Sequence, residues 1–196
     1  MQLNEIELES ATVRLIPLRL EHKDALLDAA SDGNLWELWY TSVPNRDAID
    51  GYLQHALSDQ DRGVALPFTV VEKATNKIIG TTRLFNVDHA NRRLEIGHTW
   101  YAQSYHRSSV NTECKLLLLT HAFESLHTIA VEFRTHWHNQ QSRQAIARLG
   151  AKQDGVLRNH QIMPNGSYRD TVVFSIVESE WSAVKTSLQY KLTRRS

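Results

Sequence analysis

The sequence predicts one α/β (α+β) domain in which helices flank a mixed, mostly antiparallel sheet of about seven strands. Three observations predict it. Strand-like and helix-like segments follow in the order strand, helices, three strands, helix, strand, helix, two strands, helix, which is not the strand–helix repeat of a parallel sheet. The three central strand segments are separated only by short polar turns, so they pair antiparallel. No G-x-G-x-x-G follows the first strand, which argues against a dinucleotide-binding fold.

Each element carries its own signal. "TVRLIPLRL" alternates Val13 and Leu15 against Arg14 and Ile16 and stops near Pro17. "EHKDALLDAASDGNLWELWYTS" and "NRDAIDGYLQHALSD" read as helices. The second has Ile49, Leu53, Ala56 and Leu57 at helical spacing and Asn45 as its N-cap. "LPFTVVEK", "NKIIGTTRLFNV" and "RRLEIGHTWYA" are strands joined by turns at Ala74–Asn76 and Asp88–Asn91. A helix is expected from Asn111 to about His127, with Glu113, Thr120, Glu124 and His127 on its wet side. Cys114, Leu117, Leu118 and Ala122 fall on its buried side. "IAVEFRTHW" is a strand, and "NQQSRQAIARLG" is a helix capped by Asn139 and ended by Gly150. "GVLRNHQIM" and "SYRDTVVFSIV" form a hairpin about Asn165-Gly166. "ESEWSAVKTSLQYKL" is a terminal helix with Trp181, Val184, Leu188 and Leu192 on one face. Lys191, Arg194 and Arg195 form its solvated end.

Composition narrows the function classes. The 196 residues are 41% hydrophobic, enough for one core, and neither a repeat nor a linker divides them. Lys plus Arg equals Asp plus Glu at 22 each, so no net field draws the whole chain to nucleic acid or an anionic membrane. No apolar run approaches the ~20 residues of a membrane span. The acidic start "MQLNEIELES" has no signal-peptide pattern. One cysteine, Cys114, excludes an internal disulfide framework and sits among leucines as a core residue. A reducing cytoplasm is the expected compartment. His136 and His138 share one face of an extended segment, but no third ligand is near in sequence, and no metal is expected.

The chemistry concentrates in "HRSSVNTECK", a polar loop feeding an apolar helix. A helix start leaves unpaired N–H groups at the positive end of a dipole, which suits an anion. The donors are main-chain groups, so the loop needs no glycine to supply them. Ser108 and Ser109 add hydroxyls, and Arg107 and His106 add charge. The alternative is that Asn111 or Thr112 merely caps the helix.

At this point the chain resembles a family. "LEIGHTWYAQSYHRSSVNTECKLLLLTHAFE" and "VEFRTHWHNQQSRQAIARLGAKQDGVLRNHQIMPNGSYRDTVVFSIVESEW" look like the GNAT N-acetyltransferases, nearest the branch that acetylates ribosomal-protein N-termini in bacteria. The most specific part is N-x-x-S-x-x-A-x-x-x-L-G-A over Asn139–Ala151, followed by "DGVLR". The family's loop, Q/R-x-x-G-x-G/A, falls on His106–Asn111, where Ser109 and Asn111 replace both glycine-class positions.

The resemblance implies a single GNAT domain with a core about residues 13–188, and a twisted sheet whose fourth and fifth strands splay. It implies that acetyl-CoA lies in the gap and gives up its acetyl group directly to a primary amine. The pyrophosphate would sit on His106, Arg107, Ser108, Ser109, Val110, Asn111 and Thr112. Main-chain groups of Trp100, Tyr101 and Ala102 would hold the pantetheine arm and the thioester oxygen. Asn139 would touch the arm and Ser142 would protonate the thiolate. Gly97 marks a bulge that opens the gap, or is a simple packing glycine.

Glu95, on one strand face with Gly97 and Thr99, is the candidate base; Asp170, His160 and His98 compete with it on the acceptor side. Trp36, Trp39 and Tyr40 would wall the acceptor pocket. The acceptor is a protein N-terminus or a small amine, and a homodimer is compatible with the resemblance. The competing reading is a non-catalytic acyl-CoA-binding or partner-binding module with the same fold.

Overall fold

The structure is a computed structural model that describes residues 2–194. Arg195 of the expected basic end lies outside the described residues. Among the described residues eight strands form one sheet in the order β1-β2-β3-β4-β5-β6-β8-β7. They are β1 (Leu8–Glu9), β2 (Val13–Pro17), β3 (Leu66–Glu72), β4 (Lys77–Asp88), β5 (Arg93–Tyr101), β6 (Ala130–His136), β7 (Lys152–Ile162) and β8 (Tyr168–Val177). The strand beyond the expected seven is β1, whose two residues are too short to show a period. Every neighbouring pair is antiparallel except β5 and β6, which run parallel.

Among the described residues five α-helices cover the sheet: α1 (Lys23–Ser31), α2 (Ile49–Asp61), α3 (Val110–Thr120), α4 (Gln140–Leu149) and α5 (Trp181–Thr193). Two cores result. Val13, Phe68, Leu94, Ile96 and Tyr101 pack with α3, α4 and α5 on one face, while Trp100 and Ala102 pack with α1 and α2 on the other.

Several elements depart from the sequence expectation. The first helical segment stops at Ser31, because Gly33 (φ 92°) and Asn34 (φ 45°) turn left-handed in succession. Only a short 3-10 turn at Leu35–Glu37 follows, and the chain then runs irregularly to Asn45. Asn45 caps the turn ahead of α2 rather than the helix itself, accepting from the amides of Asp47 (3.1 Å) and Ala48 (3.0 Å). α3 ends in a π-helical turn at His121–Ser125. Glu113, expected on the wet side of α3, is only 5% exposed. It was misplaced because its partners, Ser10 and Thr12, are remote in sequence.

Two irregularities in β5 shape everything that follows. Pairing with β6 covers only Arg93↔Ala130, Leu94↔Val131 and Glu95↔Glu132. Beyond it β5 stays on β4, and β6 stays on β8 from Phe133 to His136. The two strands therefore splay, as the resemblance implied. The β4 register slips between Arg83↔Gly97 and Thr81↔Trp100, so β5 holds one extra residue. His98 takes the left-handed conformation there (φ 47°). Gly97 is needed for a different reason: a Cβ would stand 2.7 Å from the Phe85 ring.

Candidate active site

The bulge decides which side chains look where. Glu95 and Trp100 face the α1/α2 side, whereas Thr99 turns to α3 and accepts a hydrogen bond from Lys115 (2.6 Å). The expected shared face of Glu95, Gly97 and Thr99 is therefore broken at Thr99. On the splayed flank the β5 segment after Glu95 has no β6 partner, which leaves main-chain groups free to meet a ligand arm. Ala102 is not among the free amides, since its N–H donates to the Ile79 carbonyl at 2.8 Å. Trp100 and Tyr101 lie just before it, both buried.

The loop and the start of α3 close one end of this cleft. Ala102 leads into a 3-10 turn at Gln103–Tyr105, braced by Asp32, which accepts from the Ser104 hydroxyl at 2.6 Å. His106 Nε2 is fixed at 2.9 Å from the Tyr101 carbonyl, and Arg107 is exposed in the left-handed region (φ 63°). The two serines do not point outward as donors. Ser108 donates to the Tyr105 carbonyl (2.6 Å) and Ser109 to Glu113 (2.7 Å).

Glu113 also accepts from the Ser10 hydroxyl, and from Thr12 through its hydroxyl (2.7 Å) and amide (3.0 Å). Burial would raise its carboxyl, but these hydrogen bonds outweigh that and hold it below the usual carboxylate range. The N-cap residue Ser109 makes no side-chain cap bond to α3, although Ser108 Oγ accepts from the Val110 amide at 3.3 Å. The helix's first-turn amides at Asn111 and Thr112 find no acceptor among the described residues. The helix begins at Val110 with Ser109 in the N-cap position, so neither Asn111 nor Thr112 is its cap. Beside Thr112 a cavity of about 300 Å³ is lined by Arg148, Tyr190, Lys191 and Arg194.

α4 opens on the β6 side of the cleft. Asn139 Oδ1 accepts from the Ser142 amide (3.0 Å), so the Asn139 cap is as expected. Gly150 closes the helix at φ 105°. Ser142 is partly buried.

Glu95 is 6% exposed, and burial pushes its carboxyl above the ordinary range against the pull of Asn86 and Arg134. Asn86 Nδ2 donates to it at 2.9 Å, and Arg134 Nε stands 3.6 Å away. Arg134 also pairs with Glu132 (3.0 Å), as does Arg93 (2.6 Å). These groups line a cavity of about 200 Å³. Asn86 and Arg134 were not foreseen, because cross-strand neighbours follow from register rather than from spacing.

The competing bases are weaker. His98 packs between Phe85 and Tyr52, and burial, with Arg83 nearby, pushes its imidazole down to about 4. Asp170 accepts from the Asn159 amide (2.7 Å) and pairs with Arg158 (2.5 Å), which hold it below its usual value. His160 is tied to Thr171 Oγ1 at 3.0 Å on an exposed strand.

Of the three aromatic residues, Trp39 and Tyr40 reach the end of β6, where the Trp39 ring lies 4.9 Å from that of His136. Trp36 departs from that group and packs into the α1/α2 core. His136 and His138 rings lie 5.6 Å apart.

Comparison with known proteins agrees with this geometry. A family model described as an acetyltransferase (GNAT) domain matches residues 12–152. YdaF of Bacillus subtilis, provisionally named a ribosomal N-acetyltransferase, is 27% identical over 180 residues, covering 90% of this chain and 96% of its own. A GCN5-related N-acetyltransferase from Brucella melitensis superposes with TM-score 0.85 at 29% identity, covering 97% of this chain and 86% of that one. Mycobacterium smegmatis RimJ, solved in complex with CoA-disulfide, shares the fold with TM-score 0.78 at 22% identity, covering 95% and 93%.

Proposed function

The chain belongs to the GNAT acetyltransferase family and is an acetyltransferase; from that premise we propose that it moves acetyl from acetyl-CoA to the free amino terminus of a protein or peptide. The observation that carries the site assignment is the parting of β5 and β6 after Glu95, with uncapped α3 amides at its mouth. The pyrophosphate sits on the Asn111 and Thr112 amides, flanked by Arg107. Arg148, Lys191 and Arg194 in the cavity beside Thr112 suit the phosphorylated adenosine end. The pantetheine arm enters the gap and hydrogen-bonds β5 before Ala102. The name of YdaF supports a protein acceptor, and the half-exposed Trp39 beside Tyr40 offers an aromatic surface against which its chain can lie.

The amine must arrive neutral. Glu95 takes the ammonium proton through a water, and its raised carboxyl brings it nearer the operating pH of a base. The amine nitrogen then attacks the thioester carbon, and the C–S bond breaks as the tetrahedral intermediate collapses. Ser142 gives its hydroxyl proton to the departing thiolate and recovers one from solvent. Once Glu95 has passed the first proton to solvent, the nitrogen's second proton leaves by the same water to the regenerated carboxylate. Most of the acceleration comes from holding the reactants together, on the order of 7–11 kcal/mol.

The test is thiol release from acetyl-CoA with a peptide bearing a free N-terminal serine, against the same peptide with a blocked terminus. Release with the free terminus alone supports the reading. Release with small amines but not with the peptide replaces the acceptor class. Stabilisation by CoA with no release for any amine favours the non-catalytic module.

Glu95→Gln is expected to lower kcat about 100-fold. Wild-type activity should climb as pH rises through the raised Glu95 value, because only the carboxylate accepts a proton. The variant should lack that limb.

A further inference from the structure

Lys115 stands on the buried face of α3 and is 5% exposed. Its ammonium donates to Thr99 Oγ1 on β5 at 2.6 Å and to Thr82 Oγ1 on β4 at 3.4 Å. Those two hydroxyls are themselves 2.7 Å apart. Among the described residues no carboxylate pairs with the charge: burial brings the ammonium down to about 8, against a small opposing pull from the neighbouring Cys114 thiol, itself pushed up to about 12. A buried ammonium with no counter-charge costs stability. Methionine has a similar length, would fill the same volume, and would leave the Thr82–Thr99 contact intact. Packing of α3 therefore does not call for a charge here.

The place where the charge acts is specific. Thr99 follows His98, the left-handed residue of the bulge, and is the residue that the extra position turns from the Glu95 face to the α3 face. Lys115 grips it from one side while Thr82 anchors it to β4, so the ammonium ties α3, β4 and the bulge together. The same stretch of β5 is the one without a β6 partner. An oxyanion or thiolate formed against it needs its amides already aimed, since a displacement of ~1 Å at a reacting centre can cost ~100-fold in rate.

We propose that Lys115 is a positioning residue for acetyl transfer, its ammonium holding Thr99 and, through it, the β5 bulge that frames the thioester. The proposal rests on the acetyl-CoA cleft described above and adds to it a residue that touches neither reactant.

The experiment compares Lys115→Met, Thr99→Val and the double variant. Thiol release from acetyl-CoA is followed with the N-terminal-serine peptide and with water alone, alongside CoA titration and thermal melting. Lys115→Met should lower kcat roughly 10- to 100-fold with little change in CoA affinity and with a Tm equal to or above wild type. Thr99→Val should lower kcat similarly, and the double variant should be no worse than the poorer single one, as expected for two residues acting as a unit.

Unchanged kcat in Lys115→Met overturns the proposal. So does a fall in Tm that accounts for its lost activity, or losses that simply multiply in the double variant. If Lys115→Met fails to fold, the charge is structural and the proposal is likewise lost; Thr99→Val then reads the bulge alone. Absence of CoA binding in the wild type would instead remove the cleft assignment, a result distinguishable from all of these.

Discussion

α3 and α4 both open at the mouth of the cleft, and they treat their first amides in opposite ways. At α4 the Asn139 side chain takes the Ser142 N–H, and the helix start is satisfied from within. At α3 the Ser109 hydroxyl, placed where a cap would serve, donates to Glu113 instead, and the amides of Asn111 and Thr112 find no acceptor among the described residues. Glu113 in turn is occupied by Ser10 and Thr12 of the distant N-terminal segment. A closed start stabilises a helix; an open one keeps a set of donors for something that arrives later. Under the proposed reading the loop needs no glycine, because Ser109 is turned to Glu113 and Ser108 takes only the Val110 amide, leaving those of Asn111 and Thr112 open.

Four substitutions break or sharpen this contrast. Ser109→Asp has the largest expected effect. It sets a negative charge beside the open amides and beside Glu113, and should weaken CoA binding by about 10- to 100-fold, or roughly 1–3 kcal/mol, in titration calorimetry. Unchanged affinity would take the pyrophosphate away from this loop.

Glu113→Gln follows. It turns an acceptor of several donors into a poor match and should cost about 2 kcal/mol of stability in denaturant melts. The sign with pH is fixed. A carboxyl held below its ordinary 4.5 contributes stability above that value and loses it as pH falls through the lower folded value. The wild type should therefore weaken in that acid window more than Glu113→Gln does.

Ser142→Ala should lower kcat by about tenfold and leave the KM for acetyl-CoA nearly unchanged. A shift confined to KM would make Ser142 a binding residue rather than an acid. Asn139→Ala is the smallest, at about 1 kcal/mol of stability for the lost cap. A much larger loss of CoA affinity in that variant would mean that the closed start also serves the ligand.

The sequence was informative where the physics is local. The Asn139 cap and Gly150 stop, the Asn165-Gly166 turn and the periodic faces of α2 and α5 all stand as read. The splay was available only through family resemblance, because no single residue announces a missing strand partner. Three readings failed for non-local reasons. Glu113 looked wet because its hydrogen-bond donors are about a hundred residues away. Thr99 looked like a neighbour of Glu95 because alternation counts residues and a bulge adds one. Trp36 grouped with Trp39 and Tyr40 by proximity in sequence, whereas the left-handed turn at Gly33 and Asn34 sends it into a core. Lys115 could have been found: Thr112, Leu118 and Leu119, three or four residues away along the helix, are all buried, so its place on that face was implied.

The short β5–β6 seam also bears on mechanics. Among the described residues, three ladder pairs join five strands on one flank to three on the other. The two flanks thus meet along a narrow joint, braced by the flanking helices and by the Arg93–Glu132 and Arg134–Glu95 ion pairs. If the proposed cofactor arm bonds to both lips, it would supply the missing rungs, and its binding free energy would appear as rigidity across the joint.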